Sequence, residues 1–107
     1  MMQDKTIMLD DLKKNLADHL SDNFKEVILF GSQLTDNSTP SSDYDILILV
    51  KSRADWKLER EISDICYEID LKYNIITDTH ILSEDELNAP RGKQPIFANA
   101  LINGFHA

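Results

Sequence analysis

The chain has 107 residues, 42% of them hydrophobic, enough to close one modest core and too few for a second domain that would enclose a substrate; it reads as a single domain over 1–107. Acidic residues outnumber basic ones 19 to 11, and the formal charge of -8 repels a phosphate backbone, so nucleic acid is not the expected partner; a basic protein surface, a cationic small molecule or plain solubility suits this charge. Cys66 is the only cysteine, which excludes an intrachain disulfide and a cysteine-built zinc site, and no run is apolar enough for a signal peptide or a membrane span, so a soluble cytoplasmic protein is expected.

In chain order, Leu9, Leu12, Leu16, Leu20 and Phe24 recur at three- and four-residue steps and predict an amphipathic helix over 7–23. Residues 26–30 (EVILF) form a short β-branched apolar run closed by Gly31, which predicts a strand, with a short helical turn expected from Ser32. Residues 36–42 (DNSTPSS) are turn formers and read as a loop. A continuous apolar strand follows over 44–51, of the kind covered on both faces.

Leu58, Ile62, Ile65, Cys66 and Ile69 mark the buried face of a long helix over about 54–72, which makes Cys66 a core residue. Residues 74–82 (NIITDTHIL) predict a third strand, with Ile76, Asp78 and His80 on one side by the two-residue period. Ser83 and Glu86 match a capping box, so a short helix is expected there, ending at Pro90. Pro95 suits the first turn of a last helix with Ile96, Phe97, Ala100 and Leu101 inward and Gly104 as its stop.

The polar residues constrain how these pieces assemble. Gly31 and Ser32 lie past the end of the first strand, while Asp43 and Asp45 lie at the start of the second, so one shared site requires those strands to be antiparallel. The helix that follows, roughly 28 Å long, can return the chain so that the third strand runs parallel to the second. Asp78 then falls beside Asp45 on the face that also carries Asp43, Leu47 and Leu49. The expected fold is a mixed α/β sheet of three strands in α-β-α-β-α-β order with C-terminal helices. Three converging carboxylates must meet positive charge, and oxygen-only donors favour magnesium or manganese over zinc. With 13 aspartates in 107 residues an Asp-x-Asp arises by chance about one and a half times, so the pair carries weight only with the Gly-Ser turn and the third acid.

Gly31, Ser32, ten residues, then Asp43-x-Asp45, with the third acid in IITDTHIL and the tail PIFANALINGF, resembles the minimal nucleotidyltransferases of the DNA polymerase beta superfamily. The resemblance implies the nucleotidyltransferase fold, with Asp43, Asp45 and Asp78 as catalytic metal ligands, Gly31 and Ser32 holding a nucleotide triphosphate, Mg2+ or Mn2+ as the metal and ATP as the substrate. It also implies a partner, because many such domains are encoded with a helical HEPN ribonuclease toxin that they silence, in some cases by adenylylating one of its tyrosines. One departure stands out: Gln33, Leu34, Thr35 and Asp36 follow Gly-Ser, so an Arg common near the phosphates is missing. Transfer to a small hydroxylated molecule and a non-catalytic antitoxin are the alternatives.

Other polar residues read as structural. His80 shares the Asp78 face and is expected to be a hydrogen-bonded strand histidine, with contact to a nucleotide or a metal as the alternative; Arg91 and Lys93 read as a solvated loop, with contact to phosphate or an acidic partner as the alternative, and His19 and His106 read as surface residues. Glu59/Glu61 and Glu84/Glu86 read as solvated acidic pairs. Trp56 lies off the apolar stripe of its helix, either as a partner anchor or as a local lid.

Overall fold

The computed structural model describes residues 2–31 and 43–107. Helix α1 (Met2–Leu20) is followed by a 3₁₀ turn (Ser21–Asn23), strand β1 (Phe24–Phe30), strand β2 (Tyr44–Val50), helix α2 (Trp56–Tyr73), strand β3 (Thr77–Ser83), a 3₁₀ turn (Glu84–Glu86), helix α3 (Pro95–Asn103) and strand β4 (Phe105–His106). The turn expected from Ser32 and the loop over 36–42 lie outside the described residues.

The strands order as β3-β2-β1-β4. β1 and β2 are antiparallel and β2 and β3 parallel, as the placement of the acidic residues requires. The sheet has four strands rather than three, because Phe105 and His106 pair antiparallel with Leu29 and Ile28. A two-residue strand is too short to show any period. Gly104 does stop α3, its amide donating to the Ala100 carbonyl, and a Cβ there would sit 2.4 Å from the Ile28 side chain, so the chain crosses tightly onto the β1 edge.

The sheet buries both faces. Val27, Leu29, Ile46, Ile48 and Val50 pack against the stripes of α1 and α2, including Leu12, Leu16, Ile62 and Cys66. Ile28, Phe30, Leu47, Leu49 and Leu82 pack on the other face against Phe97 and Ala100 of α3. β2 is therefore covered on both sides along most of its length, which its unbroken apolar run demands. Each Leu or Ile so buried contributes about 2 kcal/mol. No helix among the described residues is long and apolar enough to cross a membrane.

Local chemistry sets the element ends, and several differ from expectation. α1 ends at Leu20, not residue 23, because Ser21 takes a left-handed conformation (φ 52°), and Phe24 opens β1 while still packing on the same core. α2 begins where the Asp55 side chain accepts from the Leu58 amide at 2.8 Å and ends on left-handed Asn74, so β3 starts at Thr77 rather than at residue 74. Ile76 falls in the connection and is 62% exposed. The Ser83/Glu86 capping box is present but opens only a single 3₁₀ turn. Ile96 faces solvent, whereas Phe97 and Ala100 face the core. Asp11 ties α1 to the end of α2, accepting from Lys72 Nζ at 2.5 Å and from the Tyr73 hydroxyl at 2.7 Å.

Candidate active site

Three backbone positions meet at one end of the sheet. Asp45, the second residue of β2, is registered against Phe30 on β1 and against Asp78 on β3. The pairing with Asp78 exists because α2, about 27 Å long, carries the chain back to the level at which β2 began. The amide of Tyr44 donates to the carbonyl of Ile76 at 2.8 Å, which locks the two strand starts together.

Gly31, the residue after Phe30, adopts φ +79°, and a Cβ built on it would lie 2.2 Å from Asp45 Oδ2. Only glycine meets both demands, a left-handed backbone and contact with a carboxylate. The Gly-Ser turn and the Asp-x-Asp pair thus converge through Gly31 and Asp45; Ser32 lies outside the described residues.

The electrostatics follow from this crowding. Burial, then the neighbouring charge of Asp78, pushes the Asp45 carboxyl above its ordinary pKa, with a lesser push from Asp43 and a partial offset from His80. Asp43 is exposed just before β2, its charge reaches both Asp45 and Asp70, and it is not among the donor atoms that Asp45, Asp78 and His80 bring together. Asp70, which sequence reasoning did not single out, is raised mainly by burial; its Oδ1 accepts the Thr77 amide at 3.1 Å and so fixes where β3 starts.

His80 departs from expectation. Its Nε2 is buried and makes no hydrogen bond among the described residues, lying 3.5 Å from Asp78 Oδ2. The ring is held between Phe30 and Phe97, with centroids 5.9 Å from each. A buried polar nitrogen without a partner costs about 1–3 kcal/mol. Asp45, Asp78 and His80 offer donor atoms that all lie within 4.8 Å of one another. Two carboxylates and an orphaned imidazole nitrogen, at a point where like charge already burdens Asp45, fit a divalent cation. The signal for His80 was present in the sequence, since it is the next residue after Asp78 on the same strand face.

A groove of about 500 Å³ runs along the outer edge of β3 between that strand and α2, lined by Glu59, Ser63, Tyr67, Asp70 and Thr79 and reaching His80. Arg91 also lines it but is not a free loop cation: Nε pairs with Glu86 at 3.2 Å, a terminal nitrogen donates to the Ile81 carbonyl at 3.1 Å, and the guanidinium lies 5.3 Å from the Phe97 ring centroid. Glu84 and Glu86, read as solvated, are engaged by Lys25 and by Arg91 with the Ser83 cap. Trp56 stands off the core at 68% exposure.

Searches among curated proteins and among solved structures find no match to this chain. The family model of the nucleotidyltransferase domain matches residues 9–100, from the first buried turn of α1 through the face of α3 that backs His80, and so takes in Gly31, Asp45 and Asp78 together. The chain belongs to the nucleotidyltransferase domain family.

Proposed function

We propose that the chain is a divalent-metal-dependent nucleotidyltransferase that moves AMP from ATP to the hydroxyl of a tyrosine on a HEPN-type toxin partner, and that it acts as that partner's antitoxin. The observation that carries the transferase reading is the contact of Gly31 with Asp45 in register with Asp78. Asp43, Asp45 and Asp78 would hold Mg2+ or Mn2+, and Gly31 with Ser32 would hold the triphosphate.

In the reaction, the acceptor hydroxyl releases its proton to solvent, its oxygen bonds to the α-phosphorus, the bond from that phosphorus to the β-phosphate bridge breaks, and pyrophosphate leaves. When bound, the metal neutralises phosphate charge and aligns the two reacting oxygens. The chain's own part is placement. Gly31, lacking a side chain, lets phosphate approach the strand end. Asp78, 54% exposed on its side chain, stands nearest the open edge of the sheet, from which an acceptor hydroxyl would arrive to be oriented by its carboxylate. The acidic groove beside β3 and the net charge of -8 support a basic protein as the acceptor, since complementary charge speeds encounter.

The test is transfer of label from α-phosphate-labelled ATP onto a co-purified HEPN partner, with mass spectrometry locating the modified tyrosine. Label on the partner with wild type and none with Asp45→Asn is expected; an unlabelled partner in saturating metal rejects the reading. One observation favours a second reading, a non-catalytic antitoxin: no basic residue occurs in Gln33 to Asp36, and Arg91 is committed to Glu86 and Phe97. That reading requires Asp45→Asn to protect against the toxin as well as wild type does.

A further inference from the structure

We infer that His80 is a nitrogen ligand to the divalent ion held at Asp45 and Asp78, and that it makes the site prefer Mn2+ to Mg2+. The inference rests on the metal-dependent reading above and extends it to a residue that the Gly-Ser and Asp-x-Asp pattern does not include.

The first support is the orphaned nitrogen. Nε2 is buried without a hydrogen bond among the described residues and faces Asp78 at 3.5 Å, beyond a well-formed hydrogen bond. If that nitrogen carries a lone pair, it confronts carboxylate oxygens, an arrangement that a shared cation turns from repulsive to attractive. The second support is spacing. Donors bound at about 2.1 Å stand roughly 3 Å apart when adjacent in an octahedron and roughly 4.2 Å when opposite. Donor atoms that all lie within 4.8 Å, with one pair at 3.5 Å, close onto an ion with shifts of about an ångström or less.

The third support is preorganisation. His80 projects from the same strand face as Asp78, and its ring is gripped by Phe30 and Phe97, the latter in turn covered by the Arg91 guanidinium. A ring clamped in this way keeps its nitrogen aimed at the carboxylates without losing rotamer freedom when the ion arrives. An imidazole is a softer donor than a carboxylate and is accepted by transition-metal ions far more readily than by Mg2+, which demands oxygen and gives up water reluctantly. Swapping an oxygen donor for this nitrogen therefore shifts selectivity toward Mn2+.

The experiment loads the full-length chain with Mn2+ and records electron spin-echo modulation, using protein with natural-abundance or ¹⁵N-labelled histidine. Nitrogen modulation that changes frequency with the ¹⁵N label is expected in wild type and absent from His80→Phe, which keeps an aromatic ring between Phe30 and Phe97. Calorimetry should show His80→Phe losing about tenfold or more in Mn2+ affinity, with Mg2+ affinity changed far less. Bound Mn2+ without nitrogen modulation in wild type overturns the inference and leaves the metal-dependent reading standing, as does modulation that survives in His80→Phe, which would place the nitrogen elsewhere. Failure of the wild-type chain to bind Mn2+ at all overturns both. If His80→Phe does not fold, as a metal-free thermal melt would reveal, the labelled spectra of His19→Gln and His106→Gln decide, since these are the other two histidines of the chain: modulation kept in both leaves His80 as the donor, and modulation lost in either overturns the inference.

Discussion

Replacing Gly31 with alanine tests the geometry of the site most directly. Alanine at φ +79° costs about 1–2 kcal/mol through clash of its Cβ with the backbone. The same Cβ would lie 2.2 Å from Asp45 Oδ2, well inside contact distance, so the carboxylate must move by about an ångström at an overpacking cost of about 1–3 kcal/mol. The sum, about 2–5 kcal/mol, lowers a thermal midpoint by roughly 4–8 °C for each kcal/mol in a domain of this size. An ångström of displacement of a carboxylate proposed to hold the metal should also cost about 10²-fold in transfer rate. The assay is a double-mutant cycle by thermal melting with Asp45→Ala as the second change. Removing the carboxylate relieves the clash but not the backbone strain, so the two changes should be non-additive by about 1 kcal/mol or more. A Gly31→Ala protein with an unchanged midpoint, or strict additivity in the cycle, would refute the contact between the turn and the aspartate.

Three further outcomes are expected. Asp45→Asn should abolish metal-dependent transfer yet melt at the wild-type temperature or above it without metal at pH 7: the folded-state pKa of Asp45 is raised by burial and Asp78, so the stability it contributes is present below the ordinary carboxylate pKa and lost as pH rises through the raised one, and a large drop in midpoint at pH 7 would contradict this. Asp78→Ala should bind Mg-ATP within about tenfold of wild type, roughly 1.4 kcal/mol, while single-turnover transfer falls by orders of magnitude; calorimetry with a non-hydrolysable analogue separates the two, and near-normal transfer would remove Asp78 from the site. Asp11 behaves in the opposite sense to Asp45, because the Lys72 and Tyr73 hydrogen bonds lower its pKa: its stabilisation is present above the ordinary carboxylate value and fades as pH falls through the lowered one, so an Asp11→Asn midpoint below wild type at pH 7 should converge with it in acid.

The periodicity of Leu9 to Leu20 and of Leu58 to Ile69, the unbroken apolar run of β2 and the Ser83/Glu86 cap are local patterns, and local patterns suffice to place α1, α2, β2 and the turn after β3. The strand directions were also legible, because a glycine at one strand's end and aspartates at the next strand's start converge only if those strands oppose each other. Tertiary structure alone decided the rest. β4 forms because Gly104 lets the chain cross against Ile28, and two residues carry no period that could announce it. β3 begins at Thr77 because Asp70, from the preceding helix, claims its amide. The isolation of His80 Nε2 depends on Phe30 and Phe97, and the engagement of Arg91 on Glu86 and Phe97, partners drawn from three different elements. Secondary structure follows from neighbours a few residues apart, whereas the state of a buried nitrogen is set by whichever distant side chains packing brings to it.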